Sequence, residues 1–179
     1  MEFIVLLGKK SRSFTMIRKI ICTIFILLAF AGCTRDDICP EETATTPLLQ
    51  IQFNDISDRT QSKAVTALRV LINDADTLEV YLGESDTLVG IPLNTLATVS
   101  SFQLIANSND TIAINTDIIT FRYSTEDIYV NRACAFKIIY NDFDVEVVQE
   151  TGSNNWIQDI TILNTTLEDE TDAHLTIFH

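Results

Sequence analysis

From Pro47 onward, apolar side chains return at every second position in short runs, and clusters of Asn, Asp, Ser and Gly divide the runs. This pattern constrains the fold more than any other feature of the chain. Leu49, Ile51 and Phe53 alternate with Gln50 and Gln52. Further strands are expected over 66–72, 77–82, 87–91, 101–106, 111–114 and 118–123, with turns at 73–76, 83–86, 107–110 and 115–117. The stretch 63–72 could also be drawn as a helix, but β-branched Val65, Thr66, Val70 and Ile72 favour strand. Many short strands with turn signals about every eight to twelve residues point to an all-β chain, an antiparallel β-sandwich or a partly open barrel. Strands do not alternate with helical patterns, so a parallel sheet is not expected.

One hairpin is specified in detail. Asn141-Asp142 lies between two alternating runs within 134–149 and suits a two-residue turn with φ > 0. Counting outward pairs Tyr140 with Phe143, Ile138 with Val145 and Phe136 with Val147 on one apolar face. Lys137 then falls opposite Glu146 on the other face, and Cys134 points into the core. A loop at 151–155 leads to a strand over 156–164. An acidic turn at 168–172 precedes the apolar run 175–178, which should tuck into a sheet.

The N-terminal part obeys other rules. Arg18 and Lys19 precede an apolar run over 20–31, then small Ala31 and Gly32, then Cys33. Positive, apolar and small-residue regions in this order make a secretory signal, and the run is shorter than the roughly 20 apolar residues of a membrane span. The position of Cys33 resembles a lipobox, in which the chain is cut before a cysteine whose thiol is acylated. Phe30 departs from the Leu usual three places before that cysteine. Met16 alone opens a complete signal, so it competes with Met1 as the true start. Three segments follow: a signal at 1–32, an acidic tether at 33–46 and a single sandwich domain at 47–179.

Charge narrows the partners. The chain has 12 basic and 25 acidic residues, a net of −13, and removing 1–32 leaves −17. Such a domain repels nucleic acid and anionic headgroups, so its membrane contact is expected through the lipid on Cys33. Of four cysteines, Cys22 leaves with the signal and Cys33 carries the lipid. Cys39 and Cys134 remain, and in an oxidising compartment they are expected to form a disulfide; two buried free thiols are the alternative.

Motifs for chemistry are missing. The chain has no Gly-rich phosphate loop, no G-x-S-x-G elbow and no H-E-x-x-H. His174 and His179 read as a strand-end and a terminal residue. No catalytic residue, cofactor or metal is expected, and the protein is not read as an enzyme. Trp156, Tyr123, Tyr129 and Tyr140 would make a sugar platform if exposed, and core if not. Asp76-Thr77-Leu78, Asp86-Thr87-Leu88 and Asp110-Thr111-Ile112 look like Asp-Thr-apolar O-glycosylation sequons on Thr77, Thr87 and Thr111; they also read as Asp turns before strands that start on Thr.

Several short anchors recur together: Asp36-Asp37-Ile38-Cys39-Pro40, Thr45-Thr46-Pro47, Ile91-Pro92-Leu93, Arg132-Ala133-Cys134-Ala135-Phe136 and the closing Leu175-Thr176-Ile177-Phe178-His179. With them the chain resembles an uncharacterised family of small Bacteroidota outer-membrane lipoproteins over 33–179. That family often has Gly where Ala135 stands. Arg35-Asp36-Asp37 resembles a surface-export tag, or is an ordinary solvated tether. The resemblance implies outer-membrane localisation, at the periplasmic face or the cell surface. The expected role is non-enzymatic contact with an envelope protein, with a glycan- or small-ligand-binding module as the alternative.

Overall fold

The computed structural model describes residues 17–19, 21–23, 38–149 and 154–179. Residues 17–19 and 21–23 are helical, and no helix among the described residues is long and apolar enough to cross a membrane. The expected signal cleavage site, Cys33 and Arg35-Asp36-Asp37 lie outside the described residues.

Residues 40–179 form a compact unit, in which the described residues make eleven strands. In chain order these are β1 (Leu49–Asn54), β2 (Val65–Thr66), β3 (Arg69–Ile72), β4 (Glu79–Leu82), β5 (Ser85–Asp86) and β6 (Leu88–Ile91). Then come β7 (Val99–Ala106), β8 (Asn115–Asn131), β9 (Ala135–Val147), β10 (Asp159–Ile162) and β11 (Leu175–Phe178). One sheet has the order β10-β11-β1-β6, a second β4-β3-β7-β8-β9, and β2 pairs with β5 alone. Leu49, Ile51, Ile91, Leu175 and Ile177 of the first sheet share one buried core with Val70, Phe102, Leu104, Ile119 and Phe121 of the second. This unit is therefore an all-β sandwich, and among the described residues it is antiparallel apart from one pair. The exception is β1 with β11, which run parallel with Ile51 opposite Leu175 and Phe53 opposite Ile177. All four residues of β11 are buried, and it lies inside its sheet between β10 and β1. The apolar run at 175–178 tucks in as expected.

Four local expectations are corrected. The strand drawn over 66–72 is split: Ala67 has φ 46°, and the chain turns there between β2 and β3. Residues 111–114 form turns and not a strand. The Asp110 carboxylate accepts the backbone N–H of Ile112 and Ala113, and Ile112 is 94% exposed. The strand expected from Thr77 starts at Glu79, since Thr77 has φ 45° and donates its N–H to the Asp74 carboxylate.

The largest correction concerns 134–149. Asn141-Asp142 is not a hairpin turn; β9 runs straight through it. Asp142 has φ 54°, and Asp142 and Phe143 together oppose the single residue Tyr123 between the pairs Arg122–Asp144 and Ser124–Asn141. This is a β-bulge, and it solves a phase problem. Tyr140 and Phe143 are three apart and would face opposite sides of a regular strand, yet the bulge turns both into the core. The actual reversal is at 131–135. The Asn131 side-chain oxygen accepts the N–H groups of Ala133 (2.9 Å) and Cys134 (2.8 Å), and Ala135 follows at φ 58°. Lys137 accordingly pairs with Ile128, not Glu146; Glu146 lies opposite Thr120 and forms an ion pair with Arg122. Cys134 sits half-buried in the turn, not on a core face, and Phe136 is exposed.

Candidate functional site

The β8–β9 hairpin is longer than its sheet. The first residue of β7, Val99, pairs with Arg122, so beyond that level β8 continues with only β9 beside it. Residues 124–140 thus form an arm past the sandwich body. Core burial runs out along it: Tyr123 and Tyr140 are buried at its base, while Thr125, Glu126 and Asp127 are exposed.

The base of the arm is fastened by aromatic and polar contacts. The Tyr123 and Tyr140 rings meet edge to face at 5.0 Å, and Phe121 stacks on Phe143 at 5.4 Å. The Tyr123 hydroxyl donates to the Asn94 carbonyl (2.9 Å) and shares a 2.6 Å hydrogen bond with the Ser100 hydroxyl, which accepts the Asn94 N–H. The Tyr140 hydroxyl points at the Leu93 carbonyl. Burial raises the pKa of both phenols, that of Tyr140 to about 12. Both stay neutral at physiological pH and serve as hydrogen-bond donors.

Beside this base opens a cleft of about 450 Å³, floored by Ile72, Leu93 and Phe102. Polar side chains of its lining are already engaged: Asn73 donates to Ser101 and accepts from neighbouring Gln103. Exposed Pro92 and Val99 line the mouth, and Leu96, 95% exposed, stands on the connecting loop.

The outer edge of β9 is covered by the chain's own entry and exit segments. Ile138 donates its N–H to the Thr46 hydroxyl, and Tyr140 exchanges backbone hydrogen bonds with Leu167. The segment 40–46 therefore reaches the domain alongside the arm. Cys39 and Cys134 are both disulfide-bonded, while Cys22 is free. Sulfurs bond in pairs, so in a chain of four cysteines these two are bonded to each other. Near the turn, Tyr129 and Phe136 face one another across the ladder, rings 5.4 Å apart and edge to face, each 60% exposed. Arg132 is exposed in the turn and makes no ion pair among the described residues. The other cations of the domain are engaged: Arg59 with Asp159, Lys63 with Asp55, Arg69 with Glu79, Arg122 with Glu146 and Lys137 with the Glu168 carbonyl.

The remaining expected residues are distributed as follows. Thr77 and Thr111 are exposed in turns, and Thr87 is half-buried with its carbonyl accepting the Phe53 N–H. Trp156 is half-buried and donates its indole N–H to the Leu104 carbonyl, so with Tyr123 and Tyr140 buried the four aromatics do not form an exposed platform. His174 is buried. Its Nδ1 accepts the Gln50 N–H and its Nε2 lies 2.8 Å from the Asp169 carbonyl, so it carries its proton on Nε2. Burial lowers its pKa despite nearby Asp169, Glu170 and Asp172. His179 packs edge to face on Trp156 and Phe53. Both histidines brace the sandwich. No cluster of three or more His, Cys, Asp or Glu fit for a metal occurs among the described residues.

Sequence reasoning missed the arm because it put the turn at 141–142. Phe136 then fell on a core face. The signal that could have found the arm is Asn131, an Asx-turn residue three places before Cys134.

The fold and site together define a β-sandwich domain carrying a disulfide-clamped hairpin arm. Residues 64–179 match a family of unknown function, DUF6452, and the chain belongs to that family. No curated protein and no solved structure matches it.

Proposed function

We propose that this protein is a lipid-anchored module of the cell envelope, held at the outer membrane through Cys33, that works by non-enzymatic contact with an envelope protein. The observation that supports the contact is the cleft at the base of the arm. Its apolar floor and the exposed Val99 at its mouth, with exposed Leu96 on the loop between β6 and β7, leave large side chains in water where the fold gains nothing from them. Its polar groups are already bonded within the domain, so it offers shape and apolar surface in place of catalytic groups. The order of Arg18, Lys19, the apolar run and Cys33 supports the anchor.

A photo-crosslinking amino acid in place of Leu96, in cells expressing the full chain, tests the contact. Capture of one discrete envelope protein is expected, with loss of the adduct when Val99→Asp is added. Adducts only with glycan would favour the ligand-binding alternative and contradict the protein-contact reading.

A further inference from the structure

We infer that the tip of the β8–β9 arm rests on the surface of the anchoring membrane, with Tyr129 and Phe136 at headgroup depth. The inference rests on the lipid-anchor reading of Cys33.

Covalent reach is the first argument. Cys134 lies in the turn of the arm and is bonded to Cys39. Cys39 is the sixth residue after Cys33, six Cα–Cα steps along the chain. Fully extended, they span about 20 Å, and a disulfide adds about 6 Å between Cα atoms. The arm's turn can therefore stand no further than roughly 26 Å of chain from the acylated residue.

Side-chain chemistry is the second. Tyr129 and Phe136 form an edge-to-face pair that is largely exposed and contributes to no core. Aromatic rings favour the membrane–water interface, where the ring body is apolar and a Tyr hydroxyl stays hydrated. Ile38, covalently next to Cys39, is also strongly exposed. Arg132 sits in the same turn without an ion pair among the described residues, and a guanidinium is suited to a lipid phosphate. Glu126 and Asp127, exposed further up the arm, oppose a strongly anionic surface and select a zwitterionic one. Between Arg122 and Tyr129 the strand rises about 23 Å, so the arm would hold the cleft clear of the bilayer.

The test uses the full lipidated chain in phosphatidylcholine vesicles, with and without bromine on the acyl chains near the headgroup. Tyr129→Trp and Phe136→Trp add a reporter, and native Trp156, measured in the unsubstituted protein, is the background. The added emission is expected to fall by about half or more in brominated vesicles, as for an interfacial ring, while Leu96→Trp is unaffected. Cys39→Ala should keep flotation with the vesicles and lose most of the quenching. Equal emission from Tyr129→Trp in plain and brominated vesicles, with the protein still floating, overturns the tip contact and leaves the anchor standing. Quenching at Leu96→Trp as strong as at the tip overturns the tip-first orientation. Failure of the unsubstituted protein to float overturns the anchor, and the inference with it.

Discussion

Ala135 sits at φ 58° in the turn of the arm, a backbone region that costs an L-residue with a Cβ about 1 kcal/mol or more and costs glycine almost nothing. Its side chain is exposed, so removing the methyl sacrifices no packing. Ala135→Gly is expected to raise the stability by about 0.5–1 kcal/mol, read as a higher denaturant midpoint at unchanged m-value. A lower midpoint would mean that Ala135 is not held in that conformation. His174 gives a second prediction at this scale. Burial holds its folded pKa below the ordinary 6.5, so the unfolded chain binds more protons in the window that ends near 6.5. Stability should therefore fall as pH drops below about 6.5. His179 is shifted the same way, so His174→Gln should flatten the dependence of the thermal midpoint below about pH 6.5 without abolishing it. An unchanged slope would contradict the buried neutral imidazole. Nothing in the sequence around His174 signalled its bond to Gln50, because the two meet only through the β1–β11 pairing.

At the scale of elements, alternation was legible and turn position was not. The Asn-Asp pair at 141–142 tolerates φ > 0 as well in a bulge as in a hairpin turn, and only the partner strand decides which forms. That partner, the far part of β8, carries Glu126, Asp127 and Asn131 and has little apolar alternation to announce it. The Asp142 backbone still leads to a prediction. Proline, fixed near −65°, cannot take its φ of 54°, whereas glycine can. Asp142→Pro is expected to cost about 3 kcal/mol or more by chemical denaturation, and Asp142→Gly to be near neutral. Equal midpoints for the two variants would remove the bulge. Residues 111–114 failed for a related reason. Ile112 and Ile114 alternate like a strand, but Asp110 captures their backbone in a turn and leaves Ile112 in water.

At the scale of the molecule, composition and period specified a sandwich, and its closure came from contacts far apart in sequence. Leu49 to Asn54 and Leu175 to Phe178 pair across most of the domain, and no local pattern distinguishes a parallel from an antiparallel partner. That closure is exposed to a single substitution: Ile177 is fully buried, and Ile177→Ala is expected to cost about 2–5 kcal/mol. The candidate site was half legible. Cys39 and Cys134 were readable as a pair from compartment and count, but the arm they clamp appeared only with the correct turn. In the proposed mature form the chain begins at an acylated Cys33 and returns through Cys39 to the turn of its own arm. Intact mass spectrometry of the unreduced protein, extracted from native envelopes, tests this most directly. The account predicts a species of residues 33–179 with a diacylglycerol-type adduct on Cys33, and a mass lighter by one pair of hydrogens than after reduction. A chain that still carries residues 1–32, or that lacks the lipid mass, would contradict it.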